Sequence, residues 1–220
     1  MTEDSTDRYA PARSAMVRHQ IRARGISDPR VLSAMAEVPR QEFVPGSLED
    51  VAYADRPLPI GFGQTISQPY IVALTLEALE LRGDERVLDV GTGSGYQAAL
   101  LGRLAREVVS VEIIGGLAER ASLALARTGI HNVSLVVADG GSGCPERAPF
   151  DAIAVAAACD RVPAPLLAQL APGGQLVAPV GPRCFQTLTR VRRALDGSFH
   201  FEDLGGCAFV PLLGAHATAG

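Results

Sequence analysis

The sequence predicts an α/β fold in which helices cover both faces of a mostly parallel sheet. The first observation is a β-branched run at residues 87–90 that leads into three glycines and then an apolar helix. A short buried run of this kind is typical of a parallel strand, and glycines let the next helix begin close to it. The second observation is that four further β-type runs alternate with helix-type sequence. This alternation indicates a doubly wound sheet.

The predicted strands of this sheet are short apolar runs, at residues 87–90, 107–111, 132–137, 150–156 and 175–180. Helix-type sequence lies between them, at residues 97–104, 117–127 and 163–170. Two further β segments, at 186–192 and 206–212, are expected to pair through Asp196-Gly197, a good hairpin turn. The parallel sheet is therefore predicted to end in an antiparallel C-terminal part.

Helices are also predicted before the sheet. Residues 9–24 carry apolar side chains at helical spacing, and Asp28 is a natural cap for a second short helix. Residues 40–60 contain many prolines, which predicts a loop or a short edge strand. Ser67 occupies the position expected of an N-cap, before a helix that ends near residue 81.

A chain of 220 residues predicts one domain over residues 1–220. The N-terminal helices and loop occupy residues 8–82, and the sheet occupies residues 83–214. Residues 1–7 and 215–220 are expected to be disordered.

Composition excludes several classes of protein. A net charge of −4 argues against a nucleic-acid partner, which usually needs a basic face. No apolar run is long enough to span a membrane, and the acidic, polar N-terminus is unlike a signal peptide. All 20 basic residues are arginine, and the missing lysine excludes a P-loop and a Schiff-base enzyme. The histidines form no cluster along the chain.

The four cysteines are widely spaced, at Cys144, Cys159, Cys184 and Cys207. Neither a metal site nor a disulfide framework is predicted from such spacing. Reduced thiols favour a cytoplasmic location.

The spacing of the glycines after the first strand indicates which class of ligand this turn binds. A dinucleotide fingerprint needs its third glycine five positions after Gly91, where this chain has Tyr96. The third glycine is Gly95 instead, which gives D-x-G-x-G-x-G led by Asp89. This pattern resembles the first motif of S-adenosylmethionine (SAM) methyltransferases. An NAD-dependent oxidoreductase is therefore the least favoured alternative.

Three polar residues are candidates for a site near this turn. Glu112 follows the second strand, about twenty residues past the glycines, where an acidic residue commonly accepts hydrogen bonds from ribose hydroxyls. A lone glutamate at a strand end is also often only solvated. Asp139 either belongs to a turn or accepts from an adenine amino group. Spacing alone favours a capping role for Ser67; the alternative is that its hydroxyl and nearby N–H groups hold an anionic substrate.

Taken together, these residues resemble bacterial protein-L-isoaspartate O-methyltransferases over residues 16–214. The most specific matches are Pro57-Leu58-Pro59-Ile60-Gly61 and residues 64–73, which include Ser67. The Ser67 segment, placed before the glycine turn, separates this family from other methyltransferases. Further matching stretches lie at residues 16–17, 20–21, 24–26, 38–40, 43–45, 87–97, 139–140, 150–151, 172–174 and 209–212.

The resemblance implies a Rossmann-like SAM-methyltransferase sheet, with SAM in the core at residues 83–214 and substrate on the side of residues 8–82. The implied reaction transfers a methyl group from SAM to the α-carboxylate of isoaspartyl residues in damaged proteins. The ester then collapses to a succinimide, which initiates repair. Such a carboxylate has a pKa of roughly 3.5, so no general base is needed. The implied partners are isoaspartyl proteins and peptides, with the enzyme acting as a monomer.

The resemblance also implies roles for individual residues. Ser67 is the catalytic residue and, with Gln68, holds the substrate, while Val210 and Pro211 close over it. Ala138 and Ala156 depart from the family pattern, which commonly has glycine and threonine there. The residues implied to line SAM are Thr65, Ile66, Ser67, Asp89, Gly91, Thr92, Gly93, Glu112, Asp139 and Gly140.

Two alternatives stay open within the same fold. A tailoring methyltransferase would act on unmodified aspartate of a particular peptide, since both substrates present a carboxylate. A non-catalytic SAM-binding module is the other alternative, and the intact Asp89, Glu112, Asp139 and Ser67 argue against it.

Overall fold

A seven-stranded sheet forms the centre of the computed structural model, which describes residues 7–182 and 185–216. Its strands are β3 (Arg86–Val90), β4 (Glu107–Glu112), β5 (Val133–Val137), β6 (Phe150–Val155), β7 (Leu170–Val180), β8 (Gln186–Arg193) and β9 (Phe199–Cys207). Their spatial order is β5-β4-β3-β6-β7-β8-β9, with the first five strands parallel and the last two antiparallel. The predicted fold class is therefore confirmed.

Among the described residues, six α-helices flank the sheet or precede it: α1 (Ala10–Ala15), α2 (Pro29–Glu37), α3 (Pro69–Ala78), α4 (Tyr96–Leu104), α5 (Gly115–Arg127) and α6 (Ala164–Gln169). α1 continues as a π-helical turn, Met16–Ile21, and a 3₁₀ turn that ends at Gly25. Asp28 caps α2, because its side chain accepts from the N–H groups of Arg30 and Val31. The N-terminal helices predicted from spacing are therefore present.

Residues 40–66 contain loop and a short strand, as predicted for 40–60, but the strand pairs in a small hairpin that the sequence did not predict. Two 3₁₀ turns, Arg40–Phe43 and Gly46–Val51, precede two short antiparallel strands. These strands are β1 (Leu58–Gly61) and β2 (Gln64–Ile66). Four- and three-residue strands carry too little periodicity to be recognised in a proline-rich stretch.

The antiparallel C-terminal hairpin begins earlier than predicted. The strand expected at 206–212 is β9, at Phe199–Cys207, because Gly197 N–H donates to Ala194 and closes a tight turn. β9 is an exposed edge strand, so it lacks the apolar run that marks buried strands. The chain after it turns back toward β6, where Val210 accepts from Ala158 N–H (2.8 Å).

The predictions of disorder at residues 1–6 and 217–220 concern segments outside the described residues. The prediction of a reduced thiol at Cys184 also lies outside them. Within the described part, Asp7 pairs with Arg13 (2.5 Å), and Ala215 N–H donates to Asp139 (2.8 Å). The three described cysteines are free thiols. None of the helices in the described ranges combines the length and apolar character that a membrane span requires.

Gly95 allows the turn after β3 to lie close to helix α5, because it has no side chain. Its φ of +88° belongs to the left-handed region, and an added Cβ would lie 3.1 Å from Ala121 Cβ. Gly95→Ala is expected to lower the free energy of unfolding by about 2–4 kcal/mol, through backbone strain together with overpacking. Gly197→Ala is the matched control, since Gly197 has a φ of +87° with open space around it. Urea unfolding checks this; equal losses in both variants would show that the α5 contact contributes nothing.

Candidate active site

The turn after β3 brings backbone close to the carboxyl ends of two parallel strands. Gly91, Gly93 and Gly95 all have positive φ, at +89°, +53° and +88°. The N–H groups of Gly91 and Thr92 both donate to Val111 O of the neighbouring strand β4. The turn is therefore fixed to β4 at the sheet edge where open α/β sheets bind ligands.

Asp89 lies beneath this turn and is fully buried. Its Oδ1 accepts from Gln97 Nε2 (2.8 Å), and its Oδ2 accepts from Ser110 Oγ (2.7 Å). Because Ser110 donates to Asp89, Thr92 Oγ1 must donate to Ser110 Oγ, at 2.5 Å. The carboxylate thus joins β3, β4 and α4 under the turn, which fits a role in holding the turn in place.

Burial raises the pKa of Asp89 to about 6, and the charge of Glu112 adds to the rise, while hydrogen bonds from Ser110 and Gln97 oppose it. The folded chain therefore binds a proton more tightly than the unfolded chain between about pH 4 and 6. This contribution to stability is fully present below the unfolded pKa of 3.8 and is lost as pH rises through about 6.

Asp89→Asn is therefore expected to flatten the loss of stability between pH 4 and 6.5, by up to about 3 kcal/mol. The measurement is the free energy of unfolding by urea across that range. Asp203→Asn, a substitution on the surface of β9, is the control. An unchanged pH profile in Asp89→Asn would contradict the raised pKa.

Glu112 links the glycine turn to the start of α5. Its Oε2 accepts from Gly93 N–H (2.8 Å), and its Oε1 accepts from Ile114 N–H (2.9 Å). The side chain is only 6% exposed. A carboxylate has about four acceptor positions, so each oxygen keeps a lone pair for a ligand hydroxyl.

Two adjoining clefts lie over this turn. The glycine cleft is lined among others by Thr65, Gly91, Gly93, Glu112, Gly140 and Pro211. The serine cleft is lined among others by Thr65, Ile66, Ser67, Thr92, Tyr96 and Ala156. They share Thr65, Gly91, Gly93 and Ala156, so a group in one cleft can reach a group in the other.

Ser67 is half-buried in the wall of the serine cleft. The prediction that it caps α3 is wrong: Gln68 occupies the N-cap position, and no side chain bonds there. Within residues 7–182 and 185–216, the Ser67 hydroxyl has no hydrogen-bond partner, whereas its carbonyl oxygen accepts from Arg40 Nη2 (2.8 Å). The hydroxyl is thus available to a ligand in the cleft.

Val210 and Pro211 line the glycine cleft on a segment with firm anchors. Ala158 N–H donates to Val210 O, and Leu212 N–H donates to Ala158 O (2.7 Å). Phe209 N–H donates to Gln186 Oε1 (2.9 Å). These bonds hold the segment against the end of β6.

Three of the predicted site residues lie outside the walls of both clefts. One is Asp89, described above. Gln68 donates from Nε2 to Asp55 O (3.2 Å). Asp139 accepts from Gly141 N–H and from Ala215 N–H, although its neighbour Gly140 lines the glycine cleft.

The structure also gives roles to residues for which the sequence analysis proposed none. Arg40 supports Ser67, and Gln97 and Ser110 hold Asp89. Gln97 and Ser110 are polar residues inside otherwise apolar segments, which is a usable signal for a buried polar network. Arg40 lies in a polar loop, where one arginine is not conspicuous.

The profile of the protein-L-isoaspartate(D-aspartate) O-methyltransferase family matches residues 12–217. The chain belongs to this family. Its similar relatives include the protein-L-isoaspartate O-methyltransferase of Methanoculleus marisnigri, 56% identical over 94% of each chain. Another, from Anaeromyxobacter dehalogenans, is 60% identical over 86% of this chain and 91% of its own. The resemblance drawn from the motifs is therefore confirmed.

Solved structures of the family have the same fold. One protein-L-isoaspartate O-methyltransferase superimposes with a TM-score of 0.80 at 32% identity, over 94% of this chain and 66% of that longer chain. A Plasmodium falciparum structure assigned to the same activity, in complex with S-adenosyl-L-homocysteine, also has a TM-score of 0.80. It is 26% identical and covers 92% of this chain and 98% of its own.

Proposed function

We propose that this protein transfers a methyl group from SAM to the α-carboxylate of isoaspartyl residues in proteins and peptides. The observation that carries the proposal is the Ser67 hydroxyl, half-buried and without a partner in the described chain, where the serine cleft meets the glycine cleft. Membership of the family supports the same reaction.

The residues of the glycine cleft fit SAM. Gly91, Gly93 and Gly140 line it, and a Cβ added to Gly140 would lie 2.7 Å from Val90 Cγ1. Glu112 would accept hydrogen bonds from ribose hydroxyls, as an acidic residue about twenty positions past the glycines commonly does. Asp139 lies outside the cleft walls, and it would accept from an adenine amino group through the lone pairs that Gly141 and Ala215 leave free. Asp89 would act from beneath, by fixing the turn. Bound SAM supplies an electrophilic methyl group on a positively charged sulfur.

Catalysis by this chain rests on positioning rather than on proton transfer. The substrate carboxylate has a pKa of roughly 3.5 and is already an anionic nucleophile at neutral pH. Ser67 Oγ would donate a hydrogen bond to one carboxylate oxygen, which leaves the other oxygen to attack. Holding two reactants in line can contribute about 7–11 kcal/mol toward lowering a barrier.

The Val210 segment would close the site and limit the access of water. The methyl ester that leaves the site is more electrophilic than the carboxylate, and the neighbouring backbone nitrogen displaces methanol to form a succinimide. Hydrolysis of that ring returns aspartate in part, so the enzyme initiates repair and chemistry in solution completes it.

Methyl transfer to two peptides that differ only in isoaspartate or aspartate tests the proposal. Transfer to the isoaspartyl peptide alone supports repair. Transfer to the aspartyl peptide would favour a tailoring enzyme, the alternative that shares this site. SAM binding with no transfer to either peptide would contradict both.

We further propose that the enzyme works as a cytoplasmic monomer. Both clefts are complete within one chain, and the described cysteines are unpaired. Light scattering of the purified protein checks the first part, and fractionation of the source cells checks the second.

A further inference from the structure

Arg40 is a fully buried cation behind the serine cleft. Its Nε donates to Ala52 O (2.7 Å), its Nη2 donates to Ser67 O, and its Cζ lies 4.8 Å from the centre of the Tyr96 ring. Ser67 and Tyr96 both line the cleft. Arg40 is therefore separated from the cleft by the residues that it supports.

No anion neutralises this guanidinium within the described chain. Its Nη1 has no hydrogen-bond partner, and no carboxylate of residues 7–182 and 185–216 forms an ion pair with it. Burial lowers the pKa of Arg40 to about 10, which still leaves it protonated at neutral pH. An unpaired buried charge is costly, so its retention at this place calls for a reason.

The charges around the clefts supply that reason. Two buried carboxylates lie close to the clefts: Glu112 bonds the glycine turn, and Asp89 lies just beneath it. The whole chain also has a net charge of −4. These carboxylates and the net charge oppose the approach of an anionic substrate. A buried cation is screened by salt much less than a surface cation.

We propose that Arg40 is the positioning residue for the substrate carboxylate, fixing the Ser67 backbone and supplying the positive potential of the serine cleft. The inference rests on the proposed function, because it assumes that the cleft receives a carboxylate. Arg40 acts through its bond to the Ser67 backbone and through the electrostatic potential that it creates in the serine cleft. It does not touch the substrate.

The test compares two peptides on protein saturated with S-adenosylhomocysteine, so that no turnover occurs. One peptide has an isoaspartyl residue with a free α-carboxylate, and the other has the α-carboxamide. Calorimetry gives both dissociation constants. The wild-type chain is expected to prefer the carboxylate at least about tenfold, Arg40→Met to lose most of that preference, and Arg40→Lys to retain it with weaker binding of both peptides.

A purely structural role predicts a different result: Arg40→Met would weaken the binding of both peptides equally and keep the preference for the carboxylate. That result would overturn the inference. Arg193→Met is the matched control. Arg193 also has a buried, unpartnered Nε, bonds the carbonyl of Leu170 and lies 5.8 Å from the Phe199 ring, on β8 rather than at the cleft. Its substitution must leave the preference unchanged, and a loss there also overturns the inference.

A second measurement avoids variants that fail to fold. In the wild-type chain, the preference for the carboxylate must persist between about 50 and 500 mM salt if its source is buried. Its collapse over that range overturns the inference. Methyl transfer by the same preparation separates the two claims. An active enzyme without the preference refutes only the role of Arg40, and an inactive enzyme refutes the proposed function.

Discussion

Replacement of Ser67 by alanine is expected to lower kcat/KM for an isoaspartyl peptide by about 10- to 100-fold. A hydrogen bond to a charged group contributes about 1.5–3 kcal/mol, and this bond would be made to the carboxylate as it attacks. SAM affinity is expected to change less than about twofold, because Glu112 and the glycine turn are unaffected. Steady-state kinetics with the peptide and calorimetry with SAM measure the two quantities.

Ser33→Ala is the matched control, since Ser33 is exposed on α2 and its hydroxyl donates to Glu37 (2.7 Å). It removes the same atom without altering the clefts, so both measured quantities should match the wild-type values. Equal losses of SAM affinity and turnover in Ser67→Ala would contradict the positioning role. They would place Ser67 with the groups that hold the cofactor.

The sheet could be predicted from the sequence because its signals are local. The β3 strand, the glycine turn and α4 occupy one continuous stretch, and β3, β4 and β6 are short, largely buried apolar runs. β9 is different: it is an exposed edge strand whose position depends on pairing with β8. Apolar patterning therefore placed the last strand several residues too late.

The error on the capping residue has a local cause that the sequence does contain. Pro69 is the first residue of α3, and a proline forces the residue before it into an extended conformation. Gln68 accordingly has φ −52° and ψ 136° and takes the N-cap position. Ser67 is one residue too early to cap, which leaves its hydroxyl available.

Contacts between distant segments could not be predicted in this way. The bond from Arg40 to Ser67 joins residues 27 positions apart, and the bond from Ser110 to Asp89 joins residues 21 apart. The resemblance implied that Asp89 lines SAM, whereas the structure places it outside both clefts. Whether a carboxylate faces the ligand or the core depends on those distant partners.

Glu112→Gln is expected to weaken SAM binding by at least about 30-fold. Both carboxylate oxygens of Glu112 accept backbone N–H groups, from Gly93 on one side and Ile114 on the other. An amide has only one oxygen, so one of these donors would face an NH₂ group at about 2.8–2.9 Å. Leaving a buried donor unsatisfied costs about 1–3 kcal/mol, and the charge that would attract ribose hydroxyls is lost as well.

Glu107→Gln provides the matched control for this prediction, because Glu107 is the first residue of the same strand that Glu112 ends. Glu107 pairs with Arg86 (3.1 Å) on a partly exposed surface, where such pairs contribute about 0–1 kcal/mol. Calorimetry should therefore give it the SAM affinity of the wild-type chain. A Glu112→Gln protein that binds SAM normally would mean that the glycine turn keeps its shape without Glu112, and it would contradict the role of Glu112 in holding the cofactor.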